Sequence, residues 1–230
     1  EKEQTLLREV ETYQAELLEK KQRLEQQEIA LNECRHMLTK VRNEYEEMQR
    51  RLYEGNEQIA KLISRKEMLE EMKESYQGYF YGVREILKAN KRNELHHIEG
   101  VVIDLIDVPK KYVTAIDTIL GAQAQYIVVP HDRDARTIIE WLKRENKGRA
   151  TFLPLQSIEV RTIPNTIKAK LLNEPGFIGI ASELVRIDEK YKKVTEHLMG
   201  NVVIAENLKA ATELAKLTNR KYRIVTLEGD

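Results

Sequence analysis

The sequence of 230 residues is poor in several features that define common classes of protein. It has one cysteine, Cys34, so no internal disulfide can form, which fits a reducing compartment. No apolar run approaches the ~20 residues of a membrane span. The first residues, EKEQTLLREV, also lack the apolar core of a secretory signal. We therefore expect a cytoplasmic protein with no membrane partner.

Motifs for nucleotide chemistry are missing as well. The sequence contains neither the Gly-x-x-x-x-Gly-Lys-Ser/Thr loop that cradles phosphates nor the Gly-x-Gly-x-x-Gly dinucleotide fingerprint. The 38 basic and 38 acidic side chains balance to a formal net charge of zero, so an anionic partner has to be met by a local patch. We expect no nucleotide hydrolysis and no cofactor in this chain.

Four side chains invite a catalytic or metal-binding interpretation, and each has a simpler structural one. Asp104 lies on or beside a predicted strand, and Asp107 comes directly before a helix opened by Pro109, where Asp is a common cap. His96 and His97 are adjacent, so their side chains diverge, and no other His or Cys is near them in the sequence. We predict no catalytic residue and no metal site.

What the first part of the chain does have is a heptad pattern. Steps of four and three residues from Leu6 to Tyr76 fall mostly on apolar side chains, and the positions between them are mostly Glu, Lys, Arg and Gln. The pattern lasts about ten heptads, where about three or four suffice to indicate a coiled coil. We predict a coiled-coil arm over residues 1–92 that needs a second helix on its seam, with a weak point at Gly55. A lone solvated helix is the alternative.

The rest of the chain contains an internal repeat. The segment GVVIDLIDVPKKYVTAIDTILG, residues 100–121, aligns without a gap on GIASELVRIDEKYKKVTEHLMG, residues 179–200. Each is followed by a β-branched run, a helix-like stretch and a closing apolar run, which is GRATFLPL in one copy and YRIVTLEG in the other. We predict an α+β fold: a long coiled-coil helix followed by two repeated mixed α/β subdomains. These are copy one at 98–156 and copy two at 177–230, joined by a linker at 157–176.

The repeat and the basic residues suggest two kinds of partner. If copy one of one chain meets copy two of another, a twofold dimer closes into a pseudo-fourfold ring and pairs strand edges that monomers normally protect. Cations cluster at a predicted helix end and at the junction after the arm, and they are Lys143, Arg144, Lys147, Arg149, Lys88, Lys91 and Arg92. The corresponding place in copy two holds Arg220, Lys221 and Arg223. Such cations are common at helix C-termini without any further function, and the alternative is contact with DNA phosphates.

Several motifs together resemble the hinge of structural maintenance of chromosomes (SMC) proteins, most of all the bacterial condensin-type SMC. They are GYFYGVREIL, IEGVVIDLI, AIDTILGAQAQYIVV, GRATFLPL and NRKYRIVTLEGD, and they extend from about Tyr76 to Asp230. The resemblance implies a hinge of two subdomains that homodimerises as a ring and joins two long arms. It also implies a nucleoid-associated protein with distant ATPase heads and kleisin-type partners, which acts in chromosome condensation and segregation.

The resemblance implies site residues too. Family hinges bind DNA weakly through basic patches near the coil junction, and Lys143 and Arg144 match one such position. We expect the dimer interface to include Arg136, Thr212 and Gly229. Family hinges continue past TLEGD into a glycine-rich stretch that contributes to dimer contact, so we expect weaker dimerisation without it. A small α/β enzyme with a coiled-coil oligomerisation arm, and a spacer without nucleic-acid contact, remain alternatives.

Overall fold

The computed structural model describes residues 2–230, which divide into two units, one ending at Met72 and the other spanning Lys73–Asp230. The helices are α1 (Lys2–Glu74), α2 (Tyr81–Lys91), α3 (Val102–Leu105), α4 (Val113–Leu120), α5 (Asp132–Arg144), α6 (Asn165–Leu172), α7 (Ala181–Leu184), α8 (Lys192–Met199) and α9 (Leu208–Leu217). The strands are β1 (Gly100–Val101), β2 (Ile106–Asp107), β3 (Ile127–Val129), β4 (Phe152–Pro154), β5 (Phe177–Ile180), β6 (Arg186–Ile187), β7 (Val202–Ala205) and β8 (Arg223–Thr226). Short 3-10 turns cover Lys110–Tyr112, Gly121–Gln125 and Glu189–Tyr191. None of the helices within residues 2–230 combines the length and the apolarity needed to cross a membrane.

The first unit confirms the predicted long N-terminal helix. Helix α1 runs for 73 residues without interruption, and the weak point predicted at Gly55 does not break it. No side chain of α1 is buried, and seam residues such as Leu24 and Leu52 are more than half exposed. Ion pairs one turn apart, such as Lys61 with Glu57 at 2.8 Å, stabilise the exposed helix. The pairing of the seam with a second helix stays a prediction.

The second unit confirms the predicted duplication. Copy one forms a three-stranded sheet in the order β1-β3-β4, and copy two forms one in the order β5-β7-β8. In both sheets the first pair of strands is antiparallel and the second pair is parallel. The closing apolar runs GRATFLPL and YRIVTLEG supply the corresponding strands β4 and β8. The fold is therefore the expected pair of mixed α/β subdomains.

One strand prediction was wrong. The run GVVIDLI is not a continuous strand, because β1 ends at Val101 and the single turn α3 redirects the chain into β2. Strand β2 does not belong to the first sheet. It pairs with β6 of copy two, with Ile106 opposite Ile187 and Asp107 opposite Arg186. This antiparallel ribbon links the two copies. A local hydrophobic pattern cannot reveal it, since the pairing partner lies far away in the sequence.

Three hydrophobic cores hold the second unit together. The central core is shared, because Val128 of the first sheet and Ile204 of the second both belong to it, along with side chains of α4 and α8. Strand side chains alternate between faces, so Ile127 and Val129 point the other way, into a core formed with α2 and α5. The third core lies between the second sheet, α6 and α9.

The outer cores include segments that the sequence analysis placed elsewhere. Helix α2 lies within the predicted arm, 1–92, yet its Val83 and Ile86 are buried with α5. Helix α6 lies within the predicted linker, 157–176, and its Leu171 is fully buried against α9 and the second sheet. Amphipathic helices bury an apolar face wherever a sheet offers one, whatever their position between repeats.

Candidate nucleic-acid interface and dimer surfaces

The predicted DNA-binding cations lie on, or shortly after, two helices that pack together on one face of the first sheet. Helix α5 begins after His131, whose backbone N–H donates to Asp134 Oδ2 at 3.0 Å. Its first turn is acidic and its last turn basic, as the helix dipole favours. Helix α2 also ends in cations. The helix ends carry Lys143 and Arg144 on α5, and Lys88 and Lys91 on α2.

A groove of about 310 Å³ lies beside these helix ends, and we call it the basic groove. It is lined by Glu85, Lys88, Ala89, Arg92, Glu94, Trp141, Glu145 and Lys147. Lys147 Nζ is 3.1 Å from Glu85 Oε2, and Arg144 Nε is 2.9 Å from Glu145 Oε1. Lys88 and Arg92 have carboxylates 3.9 Å away. The hydrogen bond to Glu85 and its negative charge raise the pKa of Lys147, which therefore stays protonated.

Three of the seven predicted cations have no ion-pair partner within residues 2–230, namely Lys91, Lys143 and Arg149. All three are exposed. The lining of the groove itself holds three cations and three carboxylates, Glu85, Glu94 and Glu145, so its charges balance. The structure thus brings the predicted residues of both helices to one region, with carboxylates that the sequence analysis did not anticipate.

The arginines predicted to lead into the closing strands behave differently, because Arg149 precedes β4 whereas Arg223 is the first residue of β8. In copy one the side chain of Arg149 is exposed. In copy two, Arg223 donates from Nη1 to Ile119 O and from Nη2 to Thr118 O, both at 3.0 Å. These are carbonyls in the last turn of α4, where orphan acceptors favour a cation. Arg223 therefore ties copy two to copy one, a role that sequence reasoning missed.

The residues predicted for the dimer interface are not brought together within one chain. Arg136 on α5 and Thr212 on α9 are both exposed, and their helices belong to different outer cores. Gly229 has φ +92° and lies against α4, where a Cβ would come within 2.8 Å of Thr118 Oγ1. Gly229 thus makes a contact between copy two and copy one inside the chain.

The side chains considered for catalysis have structural partners. Asp104 Oδ1 accepts a hydrogen bond from the Tyr79 hydroxyl at 2.6 Å. Burial and this bond raise the pKa of Tyr79, so the phenol keeps its proton and remains a donor. Asp107 Oδ2 is 3.5 Å from Arg186 Nη1 across the β2–β6 ribbon. Within residues 2–230, no three His, Cys, Asp or Glu side chains form a group that could hold a metal ion.

A further carboxylate, Glu99, joins the two copies. Its Oε2 accepts hydrogen bonds from Lys190 Nζ at 2.8 Å and from the Tyr191 hydroxyl at 2.6 Å. The Glu99 side chain is only 17% exposed. Burial alone raises the pKa of Glu99, but the two hydrogen bonds and the charge of Lys190 outweigh it and hold the pKa below 4.5.

Glu99→Gln is expected to lower the free energy of unfolding by about 1 kcal/mol at neutral pH, because hydrogen bonds to a charged group are lost. The folded pKa of Glu99 is depressed, so its contribution is complete above the ordinary value of 4.5 and is lost as the pH falls through the folded pKa. Urea titrations should therefore show the wild type and the variant converging in acid. Glu189→Gln, in an exposed pair 3.9 Å from Lys192, is the control and should change little. A difference that persisted in acid would contradict this assignment.

Comparison with known proteins agrees with this architecture. The model of the family described as SMC proteins Flexible Hinge Domain matches residues 95–215. The chain therefore belongs to the SMC hinge family. It is 43% identical over 199 residues to the chromosome partition protein Smc of Bacillus subtilis, covering 85% of this chain and 17% of that protein. It is 44% identical over 163 residues to the protein of the same name from Halothermothrix orenii, covering 71% and 14%.

Solved structures give the same result. The chain is similar to the SMC hinge domain of Geobacillus stearothermophilus, described as an asymmetric dimer, with a TM-score of 0.77, 43% identity, and coverage of 82% of this chain and 74% of that one. A Pyrococcus furiosus Smc hinge domain with an extended coiled coil has a TM-score of 0.52 at 27% identity, covering 72% and 55%. The chain spans about a sixth of the length of the two Smc relatives.

Proposed function

We propose that this chain is a hinge module that self-associates to join two SMC arms and contacts DNA without sequence specificity, in chromosome condensation and segregation at the nucleoid. The observation that carries the proposal is the duplicated subdomain, in which β4 and β8 each form one edge of their sheet within residues 2–230. An exposed edge favours pairing with another chain. The description of the Geobacillus relative as a dimer supports self-association. In the longer protein, kleisin-type subunits are further proposed partners.

The proposed dimer places copy one, 98–156, of one chain against copy two, 177–230, of its partner. A twofold axis makes each surface patch occur twice, and a duplicated chain then closes a ring of four similar units. Arg136 and Thr212 occupy corresponding exposed positions on α5 and α9, which suits such an arrangement. Gly229 contributes by allowing the end of copy two to lie against α4.

Sedimentation over a range of concentrations is expected to show association from the 26.9 kDa chain to twice that mass. Arg136→Glu combined with Thr212→Glu should shift the equilibrium towards monomer, because both place a negative charge at the proposed contact and the two carboxylates repel each other. Lys110→Glu, at an exposed position in a 3-10 turn, is the matched control. A mass that stays at one chain at every concentration would contradict the proposal. A dimer that the double variant leaves intact would show that Arg136 and Thr212 lie outside the contact.

The proposed DNA contact is the basic groove with its flanking cations. The charges of its lining balance, so the positive charge of this region comes from the four predicted cations outside the lining, which are Lys91, Lys143, Arg144 and Arg149. The Arg92–Glu94 and Arg144–Glu145 pairs are exposed. Such pairs are worth about 0–1 kcal/mol, so a phosphate can replace the carboxylate there at low cost. Binding of this kind releases counterions and reads no base sequence.

A further inference from the structure

Each copy carries a groove at the same place, between its one-turn helix, α3 or α7, and the next helix, α4 or α8. The copy-one groove, of about 240 Å³, is lined by Ile103, Ile106, Val108, Val113, Ile116 and Asp117, among others. The copy-two groove, of about 560 Å³, is lined by the residues that the repeat aligns with these six: Ser182, Val185, Ile187, Lys192, Thr195 and Glu196. The two grooves are therefore equivalent parts of the duplicated fold.

The copy-two groove has an additional wall that the chain itself supplies. Residues 161–163, in the irregular segment after β4, line the cavity. The backbone N–H of Arg161 donates to Glu196 O at 3.2 Å, and Ile163 is buried in the outer core. The crossing is close, since a Cβ on Gly200 would overlap the carbonyl oxygen of Arg161. A short irregular segment, held by its backbone and an apolar side chain, thus covers the end of α8.

The copy-one groove has no such wall. Its lining residues all fall between Ile103 and Ala124, so within residues 2–230 no later segment of the chain lines it. The apolar side chains at the rim are correspondingly uncovered, with Ile103 51% and Val113 50% exposed. Copy one therefore presents in the open the surface that copy two covers.

The chemistry of the open groove indicates what covers it. Where copy two has Ser182, Lys192 and Thr195, copy one has Ile103, Val113 and Ile116, so its groove is more apolar. Among the residues that line the copy-one groove, the one charged side chain is Asp117. Asp117 aligns with Glu196, which shares its cavity with the cation Arg161. The occupant that complements this groove is apolar with one positive charge.

We propose that the copy-one groove docks an extended segment of a partner polypeptide in which a cation stands between two apolar residues, as Arg161 stands between Val160 and Ile163. The apolar side chains cover Ile103 and Val113. The cation lies beside the carboxylate of Asp117. A backbone N–H of the segment donates to Asp117 O, as that of Arg161 does to Glu196 O.

A labelled synthetic peptide with the sequence of residues 158–165, IEVRTIPN, serves as the probe, and its fluorescence anisotropy is followed as the 230-residue chain is added. Saturable binding is expected, and Val113→Lys should weaken it at least about tenfold, a loss of about 1.4 kcal/mol. Lysine is the residue at the aligned position 192, and Val113 is half exposed, so this variant is expected to fold. Asp117→Lys, and separately a peptide with Glu in place of its Arg, should each weaken binding, because each places like charges where the peptide cation meets the carboxylate of Asp117.

Lys192→Ala, at the aligned position in copy two, is the matched control and should leave binding unchanged. The proposal is overturned if the peptide does not bind saturably, or if Val113→Lys binds it as the wild type does. Sensitivity to Lys192→Ala instead would mean that the peptide displaces the wall of copy two, which also overturns it. If Val113→Lys abolishes self-association in sedimentation, the occupant is a second copy of this chain and not a partner. If the Arg136→Glu, Thr212→Glu variant binds the peptide as the wild type does, the peptide site and the proposed dimer contact are different surfaces.

Discussion

Lys143→Glu combined with Arg144→Glu is expected to weaken the binding of duplex DNA of arbitrary sequence at least about tenfold at low salt. The two substitutions replace exposed cations at the end of α5 with carboxylates beside Glu145, so a region of positive charge becomes locally negative. Each phosphate contact contributes about 0.9 to the dependence of log K on log salt concentration, so this slope should fall by about two.

Fluorescence anisotropy of a labelled duplex across a salt series would measure both quantities. Arg220→Glu combined with Lys221→Glu makes the same change of charge at the corresponding place in copy two, and it should retain DNA binding. Both variants are expected to self-associate as the wild type does. Unchanged binding by the α5 variant at every salt concentration would refute the flanking cations of α5 as part of the contact. An equal loss in the copy-two control would show that only total charge matters.

Gly82→Ala is expected to destabilise the second unit by about 3 kcal/mol, at the upper end of the cost of overpacking a core. Gly82 is buried in the first turn of α2, and a Cβ there would overlap the backbone carbonyl and nitrogen of Arg149. Backbone atoms cannot rotate aside as the tip of a side chain can. Helix α2 or the segment entering β4 would have to move, and α2 would lose the close contact that buries Val83 and Ile86.

Gly55→Ala is the matched control, because it adds the same methyl group where the described part of the chain has no atom within 4 Å. Alanine is favoured over glycine in a helix interior by about 1 kcal/mol, so this substitution should stabilise α1. Urea unfolding followed by circular dichroism would measure the change in the free energy of unfolding for both variants, and the two changes should have opposite signs. If Gly82→Ala unfolded at the wild-type urea concentration, the close packing of α2 on the segment at Arg149 would be wrong.

The parts of the fold that the sequence predicted are those encoded by regular patterns. The heptad repeat predicted α1, because periodicity along one helix is a local property of the sequence. The duplication predicted two sheets of the same topology, since each copy carries its own strands and helices in the same order. The β2–β6 ribbon was not predicted, because it depends on a one-turn helix that interrupts an apolar run and on a partner from the other copy.

The candidate site shows the same division. Clustered cations are visible in a sequence, but the carboxylates that accompany them are not, since Glu85 and Lys147 meet only when α2 packs on α5. Arg149 and Arg223 look identical in sequence, each leading into a closing strand. Only the fold shows that Arg223 reaches the last carbonyls of α4, whereas the side chain of Arg149 is exposed. The copy-one groove depends likewise on which surfaces the rest of the chain leaves open.

The shared central core has a mechanical consequence. Val128 from one sheet and Ile204 from the other are buried in the same apolar interior, so neither subdomain has a complete inner face of its own. Removing either subdomain would expose the core side chains of the other to water, so the two subdomains should unfold together in one cooperative transition. A force applied at α2 is then carried through both subdomains as one rigid unit. A change in the angle between the two subdomains would expose this core, so we expect the interface between them to resist bending.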